Sequence, residues 1–299
     1  MLFKKENKWS DNMWVLYAFL SALFAGITAI LAKIGIKNVD SNLATAIRTI
    51  IILIFSWIMV FIVGSFNTIQ LISTKTLVFL ILSGFATGAS WLCYFKALQL
   101  GNVNKVTPID KSSTILTMVL AWILLGESVT IVKIFAIVLI GIGTYFMIEK
   151  KKDEKEVKNN GWIIYAFLSA IFASLTSILG KVGIEGIESN LGTAIRTIVV
   201  LIMAWFIVFI NKRQKEIKNI NSKSFKFICY SGLTTGLSWL CYYKALQEGQ
   251  ASIVVPIDKL SIVFTIAFSY FILKEKLNKK AIVGLALIVV GTLSLIIGI

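Results

Sequence analysis

The stretch WVLYAFLSALFAGITAILAK, residues 14–33, returns 148 residues later as WIIYAFLSAIFASLTSILGK, residues 162–181, with 13 of 20 positions identical. Self-similarity at a fixed offset indicates a repeat architecture. The chain is therefore predicted to hold two copies of one unit, 14–148 and 162–298, joined by a charged linker at 149–161. The same offset relates SNLATAIRTI at Ser41 to SNLGTAIRTI at Ser189, and SGFATGASWLCYFKALQ at Ser83 to SGLTTGLSWLCYYKALQ at Ser231.

The composition is that of a membrane protein. Hydrophobic residues make up 57% of the chain and charged residues 15%, and the mean hydropathy is +0.85. Histidine is absent and the three cysteines are scattered, which predicts no zinc site, no disulfide framework and no cofactor. The net charge of +15 comes from lysines in short loops, so nucleic acid is not an expected partner. No GxxxxGK[ST] motif is present, and ATP-driven activity is not predicted.

Each half contains five apolar stretches of spanning or near-spanning length, since about 20 helical residues cross a bilayer core. We therefore expect an all-α integral membrane protein with ten transmembrane helices. Because five is odd, the second copy enters the membrane from the opposite side, and the repeats are inverted. The predicted helices are 14–36, 43–63, 77–98, 104–125, 131–148, 162–184, 191–210, 225–246, 252–273 and 280–298.

The loop charges predict the orientation. Loops after odd-numbered helices carry 19 lysine or arginine residues, and the opposite side of the membrane carries 7. Basic loops stay cytoplasmic. The linker EKKKDEKEVKNNG is therefore expected in the cytoplasm of a multi-pass cell-membrane protein, either the inner or the plasma membrane, with both termini outside.

Two GxxxG motifs recur in the repeat, Gly84 with Gly88 and Gly232 with Gly236. Small residues four apart let helix backbones approach closely in lipid. The motifs indicate either static packing or a sliding helix pair.

Arg48 and Arg196 lie about 8 Å inside the second and seventh stretches. Each either reaches back to the membrane interface or faces a watery cavity. Asn42 and Asn190 are expected to cap the two helices.

The motif PIDK gives the strongest functional signal, because it places Asp110 with Lys111, and Asp258 with Lys259, about 10 Å inside apolar stretches. A short aspartate there needs a partner, a cavity or a proton. Pro108 and Pro256, the two prolines of the chain, can interrupt the helix and free carbonyl groups. We interpret PIDK either as a substrate or proton site or as an ion pair that pins neighbouring helices, with Lys96, Lys244 or the arginines as partners.

Aromatic residues accompany a charge in both copies. They form either an interfacial aromatic belt or a cavity wall that stacks a flat or cationic metabolite. Their members are Trp91, Tyr94 and Lys96 in the first copy, and Trp239, Tyr242 and Lys244 in the second.

Short motifs at helix ends carry a family resemblance. Ala97-Leu98 and Ala245-Leu246 close the third helix of each copy, and Leu125-Gly126-Glu127 ends the fourth, with Leu273-Lys274-Glu275 in the second copy. With its two five-helix repeats, the chain resembles the EamA-domain branch of the drug/metabolite transporter superfamily, as a fusion of two five-helix units. The resemblance implies an inner-membrane secondary carrier with a central cavity between inverted repeats. It favours export as the direction of transport.

These observations predict a secondary active transporter of small polar or zwitterionic metabolites such as amino acids. It would work by alternating access around Asp110, Asp258, Lys111, Lys259 and the two arginines, with proton coupling, and without an enzymatic activity. Dimerisation of the chain is compatible with this function. The alternatives are a flippase for lipid-linked headgroups and a membrane scaffold without transport.

Overall fold

The computed structural model describes residues 13–36, 39–100, 106, 109–147, 161–273 and 278–297, which contain helices and no strand. The helices of the first copy are α1 (Met13–Gly35), α2 (Ser41–Val63), α3 (Thr74–Leu100), α4 (Ser113–Leu124) and α5 (Ile131–Phe146). Those of the second copy are α6 (Gly161–Gly183), α7 (Ser189–Ile210), α8 (Ser222–Glu248), α9 (Ala251–Lys259), α10 (Ser261–Phe268) and α11 (Lys279–Ile297). Short 3-10 turns follow α2 and α7, at Ser65–Leu71 and Gln214–Asn219, and a π-helical turn, Ser269–Leu273, follows α10.

Seven segments of the described chain are long and apolar enough to cross a membrane. Large apolar side chains point outward from these and neighbouring helices, such as Ile62 at 71% exposed and Ile131 at 86% exposed, as expected for a surface that faces lipid. The chain is therefore a multi-pass membrane protein. The seven segments are Met13–Gly35, Ser41–Val63, Thr74–Tyr94, Gly161–Gly183, Ser189–Ile210, Ala251–Ile272 and Lys279–Ile297.

The N-termini of α2 and α7 are capped by acidic side chains. Asp40 accepts hydrogen bonds from the backbone N–H groups of Asn42 and Leu43, both at 3.0 Å. Glu188, the equivalent residue of the second copy, accepts from the N–H groups of Asn190 and Leu191 at 2.9 and 3.1 Å. The prediction that Asn42 and Asn190 cap these helices is wrong, because the carboxylate that precedes each helix already satisfies its first N–H groups.

The two copies are interleaved, so most helix pairs join one copy to the other. α1 packs on α8, and its counterpart α6 packs on α3. Two further pairs bring equivalent helices together, namely α2 with α7 and α5 with α11, and α4 packs on α9. An approximate twofold axis therefore relates the copies, and each repeat completes the hydrophobic core of the other.

Side-chain pairs give the directions of the helices. Between α1 and α8, Ser21 contacts Ser238 and Thr28 contacts Thr234, so these helices are antiparallel. The corresponding contacts from Ser90 to Ser169 and from Thr87 to Thr176 make α3 and α6 antiparallel.

The contacts of α2 and α7 complete this order. Ser65 after α2 donates to Glu188 before α7, so α2 and α7 are antiparallel. The glycines of α3 and α8 lie in parallel register against α7 and α2, because residue numbers rise together along each pair. It follows that α6 runs opposite to α1, the helix to which it corresponds in the repeat.

The GxxxG motifs lie at these inter-copy contacts. A Cβ atom at Gly84 or Gly88 would come within 2.6 Å of Val199 or 2.5 Å of Met203 on α7. Gly236 makes the equivalent close approach to Phe55 on α2. The motifs therefore hold helices of different copies at short distance, as the packing interpretation of the sequence predicts.

Candidate functional site

The PIDK segments lie where the fourth helix of each copy is interrupted. In the second copy, Pro256 is buried inside α9, which ends at Lys259, and α10 begins at Ser261. The N–H of Leu260 bonds back to Ile257 at 3.0 Å, and this tight turn separates the two helices. Broken helices line the binding sites of many transporters because they present free polar backbone groups.

The first copy has the same break. Residues 109–111 are helical, and Ser112 forms a turn before α4. The backbone N–H of Ser112 bonds to the carbonyl of Ile109 at 3.2 Å. Pro108 lies outside the described residues. The predicted interruption of the helix at PIDK is thus present in both copies.

Each aspartate of PIDK accepts a hydrogen bond from a serine of the opposite copy. The Oγ atom of Ser169 donates to Oδ1 of Asp110 at 2.8 Å, and Ser21 donates to Oδ1 of Asp258 at 2.6 Å. The serines are themselves equivalent under the 148-residue offset. Each also lies beside a second serine, Ser90 or Ser238, at 3.4 and 3.2 Å.

The lysines of PIDK are exposed and share one region of the molecule. The side chain of Lys259 is 47% exposed, and its Nζ lies 3.7 Å from Oδ2 of Asp258. Lys111 is also exposed, and the charges that act on it are those of Lys259 and Asp110. The first pair precedes α4, the second pair ends α9, and α4 packs against α9, so both pairs lie at the boundary between the copies.

The other predicted partners of the aspartates lie elsewhere. Lys96 is exposed, and Lys244 forms an ion pair with Glu248 at 2.8 Å, with both side chains 36% exposed. The prediction that Lys96 or Lys244 pairs with Asp110 or Asp258 therefore differs from the structure. The aspartates instead have serine hydroxyls and the adjacent lysines as neighbours, because antiparallel packing brings α1 and α6 alongside the helix breaks.

The two arginines occupy equivalent positions but different surroundings. Arg196 is 1% exposed and donates from Nη2 to Thr87 at 2.8 Å. Arg48 donates from Nη2 to Thr235 at 2.8 Å, the equivalent bond of the first copy. Neither arginine reaches back along the surface as an interface anchor. A cavity of about 350 Å³ opens beside Arg48.

The tryptophans line that cavity. Trp91 and Trp239 form part of its wall together with Thr45, Thr49, Ile52 and Thr235. Tyr242 donates its hydroxyl to Ser177 at 2.8 Å, and Tyr94 is half-buried in an apolar cluster that contains Trp162. The structure thus brings the tryptophans to an arginine, and neither Tyr94 nor Tyr242 is among the described residues that line this cavity.

The turn between α8 and α9 is held by side chains from three other segments of the chain. Both carboxylate oxygens of Glu127 accept from the N–H groups of Ala251 and Ser252, at 2.6 and 3.0 Å. Lys133 donates to Gln250 at 2.6 Å, and Lys181 donates to the carbonyl of Gly249 at 2.5 Å. We call Glu127, Lys133 and Lys181 the end latch, because three side chains, from the connection between α4 and α5, from α5 and from α6, hold one turn. Glu275, the counterpart of Glu127, lies outside the described residues.

Sequence reasoning missed several of these groups. Ser21, Ser169 and the serines beside them recur in the repeat, so their repetition could have singled them out. Lys133 has Ala281 as its counterpart, and no repeat signal marks it. Among the residues that the structure describes, no group of three or more histidine, cysteine or acidic residues could hold a metal ion.

Comparisons with known proteins agree with this architecture. The EamA-like transporter family matches residues 12–149 and again 160–297. An uncharacterized transporter in the cobO 3′ region of Sinorhizobium sp. is 42% identical over 137 residues, which cover 46% of this chain and 97% of that protein. An uncharacterized protein of Methanocaldococcus jannaschii is 30% identical over 133 residues, covering 44% of this chain and 94% of that protein. Each relative is therefore about the length of one repeat.

A protein of known crystal structure shares the fold. It superposes with a TM-score of 0.77 over 96% of this chain and 97% of its own, at 14% sequence identity. Since the family matches both halves, and a relative of one-repeat length is covered almost completely, the chain belongs to the EamA-like transporter family, with one family unit in each half.

Proposed function

We propose that this membrane transporter is a secondary active carrier of small polar or zwitterionic metabolites such as amino acids. In this proposal ten membrane-spanning helices form two inverted repeats, which alternately open a shared site to each side of the membrane. The Asp-Lys pairs at the two helix breaks form that site. Family membership supports membrane transport in general, and the site chemistry supports the substrate class.

The observation that carries the proposal is the mirrored arrangement of Asp110 with Lys111 and Asp258 with Lys259. Each pair offers one anionic and one cationic group at a broken helix, in contact with a serine of the other copy. An amino acid carries the complementary charges on its carboxylate and ammonium groups. A site that presents both signs twice therefore matches a zwitterion better than an ion of one sign.

The symmetry of the contacts supports alternating access. The bond from Ser169 to Asp110 joins the copies on one side of the approximate axis, and the bond from Ser21 to Asp258 joins them on the other. Exchange of conformation between equivalent repeats opens one side as it closes the other.

The proposal places the chain in the cell membrane with the linker in the cytoplasm, both termini outside, and export as the direction. Protonation of Asp110 or Asp258 would couple transport to the proton gradient. Association into a homodimer stays a prediction from the sequence.

A two-step measurement tests the function. The full chain in phosphatidylcholine nanodiscs is screened for thermal stabilisation by amino acids and other small polar metabolites, since a ligand that binds only the folded state raises the unfolding temperature. Each stabilising compound is then used in counterflow with proteoliposomes. We expect at least one zwitterion to stabilise the protein and to exchange faster than in protein-free vesicles. A full panel without stabilisation or exchange would contradict the proposal.

A further inference from the structure

The two equivalent arginines differ in how completely the protein surrounds them. Arg196 is 1% exposed, and two of its guanidinium nitrogens donate to Ser83 and Thr87. The guanidinium carbon Cζ of Arg196 also lies 5.2 Å from the ring centre of Trp239 and 4.6 Å from that of Tyr243. Hydroxyl acceptors and aromatic faces together satisfy a buried guanidinium without an anion. Arg196 is therefore enclosed by the protein.

The sequence difference that permits this enclosure is local. A Cβ atom at Gly180 would come within 2.7 Å of Cε1 of Tyr243, so the ring occupies space that only glycine leaves free. The hydroxyl oxygen of Tyr243 lies 3.3 Å from the same Cβ position, next to the Oγ of Ser83 at 3.2 Å, which accepts from Arg196. At the equivalent positions the first copy has Ala32 and Phe95, which provide neither the gap nor the hydroxyl.

Arg48, in contrast, is incompletely paired. Its Nη2 donates to Thr235, whereas its Nε is shielded from solvent and has no hydrogen-bond partner. A buried guanidinium N–H without an acceptor is costly, and a ligand that draws the Arg48 side chain towards the cavity and supplies the acceptor recovers that cost. The adjoining cavity of about 350 Å³ leaves room for such a ligand.

The cavity wall is chemically suited to an organic anion. Thr45, Thr49 and Thr235 add hydroxyl groups beside the guanidinium, and Trp91 and Trp239 add flat apolar faces. Arginine binds carboxylate and phosphate oxygens with charge-assisted hydrogen bonds, and indole rings stack on flat groups. Among the residues that the structure describes, none that lines this cavity is acidic.

We propose that Arg48, and not Arg196, binds an anionic group of the ligand, a carboxylate or a phosphate, with an apolar part of the ligand against Trp91 and Trp239. The ring of Tyr243 fills the space beside Gly180 and packs against Arg196, which keeps that guanidinium enclosed. The duplicated chain therefore has one anion site and not two. The inference rests on the proposed function for the role of this site in transport. It predicts the binding of anions independently of transport.

Equilibrium binding of radiolabelled benzoate to the full chain in phosphatidylcholine nanodiscs tests the site, with neutral benzamide as competitor. Three variants each remove one guanidinium, namely Arg48→Gln, Arg196→Gln and the surface control Arg213→Gln. We expect Arg48→Gln to weaken benzoate binding about 10- to 100-fold, the usual effect of one charge-assisted bond. Arg213→Gln should leave it unchanged. Arg196→Gln should unfold at lower temperature but bind within about threefold of the unaltered chain.

A variant that is expected to gain benzoate binding gives a test that does not depend on a loss of binding. The double variant Gly180→Ala with Tyr243→Phe gives the second copy the residues of the first. It is expected to free Arg196 and to raise the stoichiometry from one benzoate per chain towards two. An unchanged stoichiometry, in a variant that still unfolds cooperatively, would overturn the role of Tyr243.

Nanodiscs that contain phosphatidylglycerol separate two sources of the anion. If this lipid displaces benzoate from the unaltered chain and from folded Arg196→Gln, which keeps the site, the site takes a lipid phosphate. If benzoate stays bound, the site takes a water-borne carboxylate.

Equal affinities for the unaltered chain and Arg48→Gln would overturn the proposal. So would equal losses in Arg48→Gln and in folded Arg196→Gln, or no response to benzoate, inorganic phosphate and phosphatidylglycerol up to about 10 mM. Benzoate binding that persists without counterflow of any metabolite would contradict transport alone.

Discussion

Asp110 and Asp258 are the carboxylates on which the proposed coupling depends. Each accepts one serine hydroxyl and has a lysine as its neighbour in the chain, at a break in its helix. A carboxylate in such a place can exchange a proton for a substrate cation, because its charge is neither fully solvated nor fully neutralised.

The double substitution Asp110→Asn with Asp258→Asn is expected to abolish acceleration of uptake by an imposed pH gradient in proteoliposomes. Asparagine keeps the hydrogen bond with serine but holds no exchangeable charge. The expected loss of the pH-dependent rate is about 100-fold, within the range of acid-base contributions at catalytic sites.

The matched control for this variant is Glu216→Gln, which neutralises a surface acid that pairs with Arg213 outside the spans. It should retain the pH response. A double asparagine variant whose uptake rises with the gradient as in the unaltered chain would remove the aspartates from the coupling mechanism.

The repetition of the chain identified Asp110, Lys111 and their counterparts at the residue scale. It could not identify what surrounds them. The hydroxyl partners of Arg48 and Arg196 come from α8 and α3 of the opposite copy, and a contact between distant helices leaves no periodic signal in one sequence. The enclosure of Arg196 could not be predicted from the sequence either, because it depends on the contact between Gly180 and Tyr243.

At the scale of helices, α5 and α11 meet through glycines. A Cβ atom at Gly143 would lie 2.6 Å from the carbonyl oxygen of Gly284, and the reverse contact has the same distance. A backbone carbonyl cannot move aside as the end of a flexible side chain can. The close packing of α5 on α11 therefore depends on these two glycines.

Gly143→Ala is therefore expected to lower the free energy of unfolding by about 1–3 kcal/mol, the usual cost of overpacking. Gly141→Ala in the same helix is the control, because its Cβ would meet only the terminal Cδ1 of Ile115, at 3.2 Å. Thermal unfolding in nanodiscs compares the two. A control that is less stable than Gly143→Ala would contradict the close packing of α5 on α11.

Apolar length predicted the position of the helices well. The third helix, expected at 77–98, extends over Thr74–Leu100. The capping residues were missed because Asp40 and Glu188 precede the apolar stretches. The break after Lys259 was expected from Pro256, but its position, three residues beyond the proline, depends on the tight turn at Leu260.

At the scale of the whole molecule, the proposed orientation follows from lysine and arginine counts. In a chain whose native cysteines are replaced by serine, Lys155→Cys should resist a membrane-impermeant thiol reagent applied to intact cells, and should react after the cells are opened. Complete labelling of intact cells would place the linker outside and reverse the proposed topology.

The interleaving of the copies could not be predicted from hydropathy, which places spans in order but does not pair them. It follows from contacts such as Ser21 with Ser238 and Thr87 with Thr176, where small polar side chains let helices of different copies approach. Because each copy completes the core of the other, their relative movement changes many contacts together.

If the two copies alternate access as proposed, the turn between α8 and α9 leaves the end latch during each transport cycle. In a chain without its native cysteines, Glu127→Cys and Ala251→Cys place two thiols where the carboxylate now meets the backbone N–H at 2.6 Å. Counterflow of the metabolite found by thermal screening is measured before and after a short bis-methanethiosulfonate cross-linker, which forms disulfides that a reductant cleaves, with each single cysteine variant as control. Cross-linking is expected to reduce exchange to that of protein-free vesicles, and reductant is expected to restore it, whereas exchange at the full rate in the cross-linked protein would contradict alternating access at this end.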